Sequence, residues 1–288
     1  MTNEIILKKA VIPAGGLGTR LLPVTKELPK EMMPIFIKDK KGRILFKPIM
    51  QQIYEELYDY GIRDFCFIVR PGKRAISDYF TSDYQFSDEL KTQNKEDLAE
   101  ILNSFYKKID NSSICFVNQP KPIGFGDAVY RAKPITGNEP FFLHAGDDFI
   151  ISKNNRHLEE ITKTFSKYNS DATFFVEEVE DPRNYGVITG KEIEKNVILV
   201  TDLVEKPLVP PSKLAVIAIY IFKPNIYNAL EKVKPDIDGQ IQLATALQLM
   251  IEDGKELIAI KLQKGEKRID IGTPQSYLNS LKNIVKIY

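Results

Sequence analysis

Short runs of β-branched and aromatic residues alternate along this chain with stretches whose apolar residues recur every three or four positions. The runs predict strands at residues 9–13, 65–69, 114–117, 141–145, 172–177, 186–189, 197–204, 214–222, 257–261 and 268–271. The periodic stretches predict helices over 48–60, 95–109, 126–132, 156–168, 225–233, 241–252 and 274–287. In the first helix Ile49, Ile53, Tyr54 and Leu57 share a face and Gly61 supplies the stop; in the second the face is Leu98, Ile101, Leu102 and Phe105. The first half reads strand, loop, helix, strand, helix. That order implies right-handed crossovers and an α/β fold with a mixed, mostly parallel central sheet and helices on both faces. From about Asp171 strands and turns dominate, which predicts an antiparallel or mixed extension. With no internal repeat or low-complexity linker, one domain over 1–288 is expected. In such a sheet, ligands gather beyond the carboxyl ends of strands, where the strand order reverses.

Composition narrows the partners. Lys and Arg number 40 against 39 Asp and Glu, a net charge of +1 that argues against a dedicated nucleic-acid binder. The longest apolar run, residues 214–222, has the length of a buried strand and falls far short of a membrane span of about 18 residues. Residues 1–9 lack the charged-then-apolar layout of an export leader, so a cytoplasmic protein is expected. Cys66 and Cys115 sit inside apolar runs and read as buried, reduced thiols; no Cys/His spacing suggests structural zinc. The charged stretch 38–43 reads as a solvated loop.

Candidate chemistry begins after the first strand, with Ala14-Gly15-Gly16-Leu17-Gly18-Thr19-Arg20. Glycines there let backbone N–H groups approach a phosphate without interference from Cβ. Leu21 stands where a dinucleotide fingerprint needs a third small residue, and no Gly-Lys-Ser/Thr follows as in a P-loop. Arg20, Lys26 and Lys30 add cations, and Pro23, Pro29 and Pro34 predict an ordered loop rather than a helix. This set suits a triphosphate, because Arg grips two oxygens and Lys acts as a point charge; a tight turn with surface cations is the alternative. Asp147 and Asp270 lie at the ends of separate strands, where two carboxylates can hold one hard divalent ion, although either alone could be a turn residue. Gln119, five residues before Gly124, offers the donor and acceptor that fit the imide edge of uracil or thymine; the alternative is a proline-rich loop. His144 and His157 fall within a strand and a helix and read as structural, and nothing suggests a covalent nucleophile.

The string Gly15-x-x-Gly18-Thr19-Arg20-x-x-Pro23-x-Thr25-Lys26, then Pro29-Lys30-Glu31-Met32-x-Pro34, resembles the sugar-1-phosphate nucleotidyltransferases, most of all their UTP–glucose-1-phosphate uridylyltransferases. The resemblance continues in order through Gln119-x4-Gly124, Asp147, Tyr185-Gly186-Val187, Glu205-Lys206-Pro207, Ile241-Gln242-Leu243 and Asp270-x-Gly272, covering nearly the whole chain. It implies a glycosyltransferase-A-like fold, with the nucleotide on the N-terminal half and the sugar on the C-terminal half. The implied reaction is Mg²⁺-assisted in-line transfer of a uridylyl group from UTP to glucose-1-phosphate, giving UDP-glucose and pyrophosphate. On matching positions it implies that Arg20, Lys30 and Lys206 are catalytic, and that Ala14, Gly15, Gly16, Gly18, Thr19, Gln119 and Gly124 bind the nucleotide. Gly186, Glu205 and Lys206 would bind the sugar, and Asp147 and Asp270 the Mg²⁺. By analogy the protein would be a homodimer or homotetramer, with neither nucleic acid nor membrane as partner.

This chain departs from the uridylyltransferase pattern at Asp127, where a His is usual, and at Gln240, Ala244-Thr245 and Ala218-Ile219. Asp127 lies close to the base loop, so a thymidylyltransferase, or an enzyme using both UTP and dTTP, is an alternative. A non-catalytic sensor of sugar nucleotides is another. The retention of Arg20, Lys30, Asp147, Lys206 and Asp270 together speaks against the sensor.

Overall fold

A computed structural model describes residues 7–39 and 41–287. Residues 1–6 of the expected leader-free terminus, and Lys40 in the charged loop, lie outside the described residues.

The strands are β1 (Lys9–Pro13), β2 (Pro34–Lys38), β3 (Ile44–Pro48), β4 (Asp64–Val69), β5 (Ser113–Asn118), β6 (Phe141–His144), β7 (Asp148–Ile151), β8 (Ala172–Glu178), β9 (Gly186–Glu194), β10 (Val197–Glu205), β11 (Leu214–Phe222), β12 (Leu257–Lys261) and β13 (Lys267–Asp270). The helices are α1 (Ile49–Tyr60), α2 (Arg74–Tyr79), α3 (Tyr84–Thr92), α4 (Glu96–Asp110), α5 (Phe125–Tyr130), α6 (Lys133–Thr136), α7 (Arg156–Tyr168), α8 (Ile226–Leu230), α9 (Leu243–Glu252) and α10 (Pro274–Ile287). Nine strands form one sheet in the order β5-β4-β1-β6-β11-β8-β12-β10-β9.

The sheet is mixed as expected, but it is not mostly parallel. Among the described residues four pairings are parallel: β1 with β4, β1 with β6, β4 with β5, and β8 with β12. Five are antiparallel, because β11 enters reversed between β6 and β8 and the β9–β10 ribbon adds reversed pairs. Apolar periodicity reports which face a residue occupies and is blind to strand direction, so the first half's crossovers could not foretell the second half. Register shifts in β10 bend the ribbon until Val187 pairs with Ala215 of β11.

Both faces of the sheet are buried. Ala10 and Ile12 of β1 point into one apolar cluster, shared with Phe65, Phe67, Phe142 and helices α1, α4 and α7; Val11 points into the other, with Cys66, Ile68, Phe141 and helices α5, α8 and α9. The opposed faces produce the near-continuous apolar runs seen along the strands. Cys66 and Cys115 are free thiols placed opposite each other on β4 and β5.

Some elements were not expected. A β2–β3 hairpin brackets the charged loop, which is its turn, with the Asp39 carboxylate accepting the Arg43 amide at 2.8 Å. Helices α2 and α3 lie within residues 74–92, and among the described residues the strand expected at 268–271 pairs with β7 alone, in a separate two-stranded ribbon. Helix α1 ends as predicted, with Gly61 in the left-handed region at φ +119°.

Helix α1 also carries a buried carboxyl group. Glu56 is 7% exposed, accepts a 2.9 Å hydrogen bond from Gln52 and has Glu55 and Asp59 nearby. Burial pushes its pKa up to about 8. The folded protein therefore binds a proton that the unfolded chain has released, and stability falls as pH rises from about 4.5 to about 8. Glu56→Gln should gain stability over wild type across that window, by at most about 1.4 kcal/mol per pH unit. Urea melts at pH 5 and pH 8 would show it; equal differences at both pH values would contradict it.

Candidate active site

At one end of the sheet lies a cleft of about 850 Å³, bounded by the turn after β1, the loop after β5, the β6–β7 turn, the β9–β10 ribbon and β13. Gly15, Gly16, Gly18, Thr19, Arg20, Lys30, Gln119, Gly124, Asp147, Gly186, Glu205, Lys206 and Asp270 all line it. Segments far apart in sequence are thus brought together as expected. Two expected residues are not part of its wall. Ala14 is buried, its N–H donating to Ile68 O at 2.7 Å and its carbonyl accepting Lys73 Nζ at 2.6 Å. Lys26 points to solvent, its side chain 79% exposed and 3.9 Å from Glu27.

The loop after β1 is ordered, as its prolines require, by single turns of 3₁₀ helix at Thr19–Leu21, Val24–Lys26 and Lys30–Met32. Thr25 Oγ1 donates to Gly18 O at 2.7 Å and closes the loop on itself. Lys30 leans across Gly16 and pairs with Asp147. Burial alone would depress the Lys30 ammonium, but Asp147 and Glu31 more than offset it and its pKa lies above the ordinary value. Burial would likewise raise Asp147, yet Lys30 holds it below the usual carboxylate range. Both groups are charged at neutral pH. Arg20 is exposed and has no ion-pair partner among the described residues.

In the loop after β5, Gln119 is 2% exposed and donates from Nε2 to Gly124 O at 3.0 Å and to Asp127 Oδ2 at 2.8 Å. A Cβ on Gly15 would stand 2.3 Å from Gln119 Oε1, so only glycine lets the β1 turn approach that amide. Gly124, at φ +117°, would bring a Cβ to 2.4 Å from Ile241 O, which explains glycine there. At the other wall Gly186 and Glu205 are opposed across the ribbon, and Lys206 follows in the left-handed region at φ +42°. Its N–H donates to Tyr185 O at 3.0 Å and its ammonium lies 3.0 Å from Glu205 Oε1. Left-handed backbone at a non-glycine residue persists only where surroundings impose it.

On the β7–β13 ribbon Asp148 and Asp270 stand directly opposite each other. Asp270 Oδ1 accepts the Gly272 N–H at 2.7 Å. Asp148 is held by Arg268 Nε and Nη2, while Arg268 Nη1 donates to Glu177 at 2.7 Å and the guanidinium lies 5.0 Å from the Tyr185 ring centre. Asp148 therefore anchors Arg268 and supports the floor. Burial pushes His144 down to about 4 and His157 to about 3, so both rings are neutral and structural, as expected.

Residues with no local sequence signal complete the site. Lys73 Nζ bridges Glu31, at 2.8 Å, and the Ala14 carbonyl, tying two parts of the glycine-rich loop together. Their side chains are 8% and 1% exposed, and burial raises Glu31 and lowers Lys73. Removing one partner of such a pair strands the other's charge. Lys73→Met should therefore destabilise the fold by about 3–5 kcal/mol in denaturant melts, and adding Glu31→Gln should recover part of that loss. Additive losses in the double variant would contradict the pairing.

The profile of the nucleotidyl transferase family matches residues 9–286. The UTP–glucose-1-phosphate uridylyltransferase of Pseudomonas aeruginosa is 34% identical over 279 residues, covering 96% of this chain and 95% of its own. A Bacillus subtilis (strain 168) protein, provisionally given the same name, is 38% identical over 283 residues and covered to 98%, as is this chain. A crystal structure of UDP-glucose pyrophosphorylase complexed with UDP-glucose matches with a TM-score of 0.83 at 33% identity, covering 98% of this chain and 100% of that one. The match runs from the first strand of the sheet into the last helix, and the chain belongs to the nucleotidyl transferase family.

Proposed function

We propose that this protein transfers the uridylyl group of UTP to glucose-1-phosphate, forming UDP-glucose and pyrophosphate. The observation that carries the reading is a single cleft joining three recognition elements: the glycine-rich loop with Arg20 and Lys30, the Gln119–Gly124 pair, and the Glu205–Lys206 turn facing Gly186. Each suits one part of the two substrates. The names of the similar proteins point to the same substrates.

In this reading the triphosphate lies along residues 15–20, held by backbone N–H groups, Arg20 and Lys30. Gln119 and Gly124 receive the uracil. Glu205 takes sugar hydroxyls, Gly186 lets the hexose approach the backbone, and Lys206 positions the phosphate of glucose-1-phosphate. An oxygen of that phosphate attacks the α-phosphorus of UTP in line, the bond to the bridging oxygen breaks, and pyrophosphate departs with its charge met by Arg20 and Lys30. The nucleophile is already anionic near pH 7, so no side chain need remove a proton.

The donor set fits a divalent cation such as Mg²⁺. Asp147 and Asp270 offer hard carboxylate oxygens, and each keeps one oxygen without a hydrogen-bond partner among the described residues. No group of three or more His, Cys, Asp or Glu is arranged to hold a metal among the described residues, so phosphate oxygens and water would fill most positions. When bound, the ion supplies charge neutralisation at the reacting phosphates. Lys30 pairs with Asp147, so a cation held there would share that carboxylate with the Lys30 ammonium.

Pyrophosphate release from each nucleoside triphosphate, with Mg²⁺ and glucose-1-phosphate, tests the reading. Turnover with UTP is expected, with dTTP run beside it, and no release with any triphosphate would overturn the proposal. Lys206→Ala should lower kcat by about 100-fold or more with the melting temperature unchanged. Lys30→Met should lower turnover comparably while strengthening Mg²⁺ binding to the nucleotide-free protein in calorimetric titration, because Asp147 is released. Weaker Mg²⁺ binding would contradict the shared role of Asp147.

A further inference from the structure

We infer that Asp127, clamped by Arg131, locks the Gln119 amide in one orientation, so that Gln119 offers the base an acceptor alone and selects pyrimidines carrying a proton at N3. The inference rests on the reading above that Gln119 meets the base.

Asp127 is 6% exposed on α5, one turn before Arg131. Arg131 Nε donates to Asp127 Oδ2 at 2.9 Å and Nη2 to Oδ1 at 3.1 Å, a two-point grip that fixes the plane of the carboxylate. The same Oδ2 accepts Gln119 Nε2 at 2.8 Å, and the second proton of that amide goes to Gly124 O at 3.0 Å. Both amide protons are therefore spent inside the protein. Gln119 Oε1 has no hydrogen-bond partner among the described residues and abuts Gly15, which lines the cleft as Gln119 does.

A free glutamine is ambivalent, because rotating its amide exchanges donor for acceptor. Here that rotation would turn Oε1 against the Asp127 carboxylate and the Gly124 carbonyl, three acceptors facing one another with no proton between them. Uracil and thymine offer an N3–H to Oε1. Cytosine offers a lone pair at N3, leaving two acceptors opposed and a buried group unpaired. The contact separates uracil and thymine from cytosine and is indifferent to the 5-methyl group. Asp127 acts through Gln119 and is a positioning residue. It is also a place where the chain departs from the uridylyltransferase pattern.

The test is kcat/KM for UTP and for CTP, measured by pyrophosphate release in wild type and variants. Wild type should prefer UTP by about 100-fold or more. Asp127→Ala should raise KM for UTP about tenfold with kcat within about threefold, and lower the UTP:CTP ratio at least tenfold. Asp127→Asn can place an oxygen where Oδ2 stands, still accepting from Gln119 and from Arg131 Nε, but sets its NH2 against Arg131 Nη2, so its ratio should fall between those of wild type and Asp127→Ala. Should the alanine variant fail to fold, Arg131→Ala decides the matter. Its partly exposed side chain can be removed with little packing loss, and freeing the carboxylate should lower the ratio about threefold or more. An unchanged ratio in Asp127→Ala, or in Arg131→Ala, overturns the lock while leaving the uridylyltransferase reading intact. Wild type that turns over no UTP sinks both.

Discussion

Burial of both sheet faces is the constraint from which the cleft follows. Apolar residues alternate into two clusters on opposite sides of β1, β4 and β6, so a substrate can meet polar groups only beyond strand ends. The turn after β1, the loop after β5 and the turn after β6 deliver the glycines, Gln119 and Asp147 to one place. Contacts there span long stretches of chain: Lys30 meets Asp147 across 117 positions, and Arg268 meets Asp148 across 120. The cleft is made by topology, and it is lost wherever the sheet is.

Apart from Arg20, the cations in and behind the cleft are arranged as pairs. Lys30 lies on Asp147, Lys206 on Glu205, Arg131 on Asp127, and Arg268 between Asp148 and Glu177. An incoming polyanion would meet Arg20 unpaired but would have to compete with carboxylates for Lys30 and Lys206. Such competition limits non-productive capture of stray anions, since only a ligand that meets several pairs at once recovers what it displaces.

How much of this was legible depended on range. The glycine-rich loop could be read because its signals are local: Gly15, Gly16 and Gly18 follow the first strand directly, and the prolines forbid a continuous helix. Buried strands such as β11 announced themselves through unbroken apolar runs. The β2–β3 hairpin did not, because Ile44 and Phe46 are exposed and Pro34 and Pro48 bound it. Neither did β7, a short strand directly behind one already assigned. Strand direction was invisible in the pattern, which is why the reversed insertion of β11 overturned the expectation of a mostly parallel sheet. Lys73 and Arg131 gave no signal of their own, since their meaning lies in partners that only the fold supplies.

The order of strands in the sheet also bears on how the chain reaches it during synthesis. β12 lies between β8 and β10, yet it is made after both. Until residues 257–261 leave the ribosome, β8 has an open edge and the β9–β10 ribbon has no strand to join it to the sheet through β10. Before that point the sugar wall meets the sheet through Val187 of β9 and Ala215 of β11, beside a glycine-rich loop whose parallel strands can already be paired. A nascent chain halted before that point holds the nucleotide-binding half with an unpaired apolar edge beside it, the condition in which strands of neighbouring chains join.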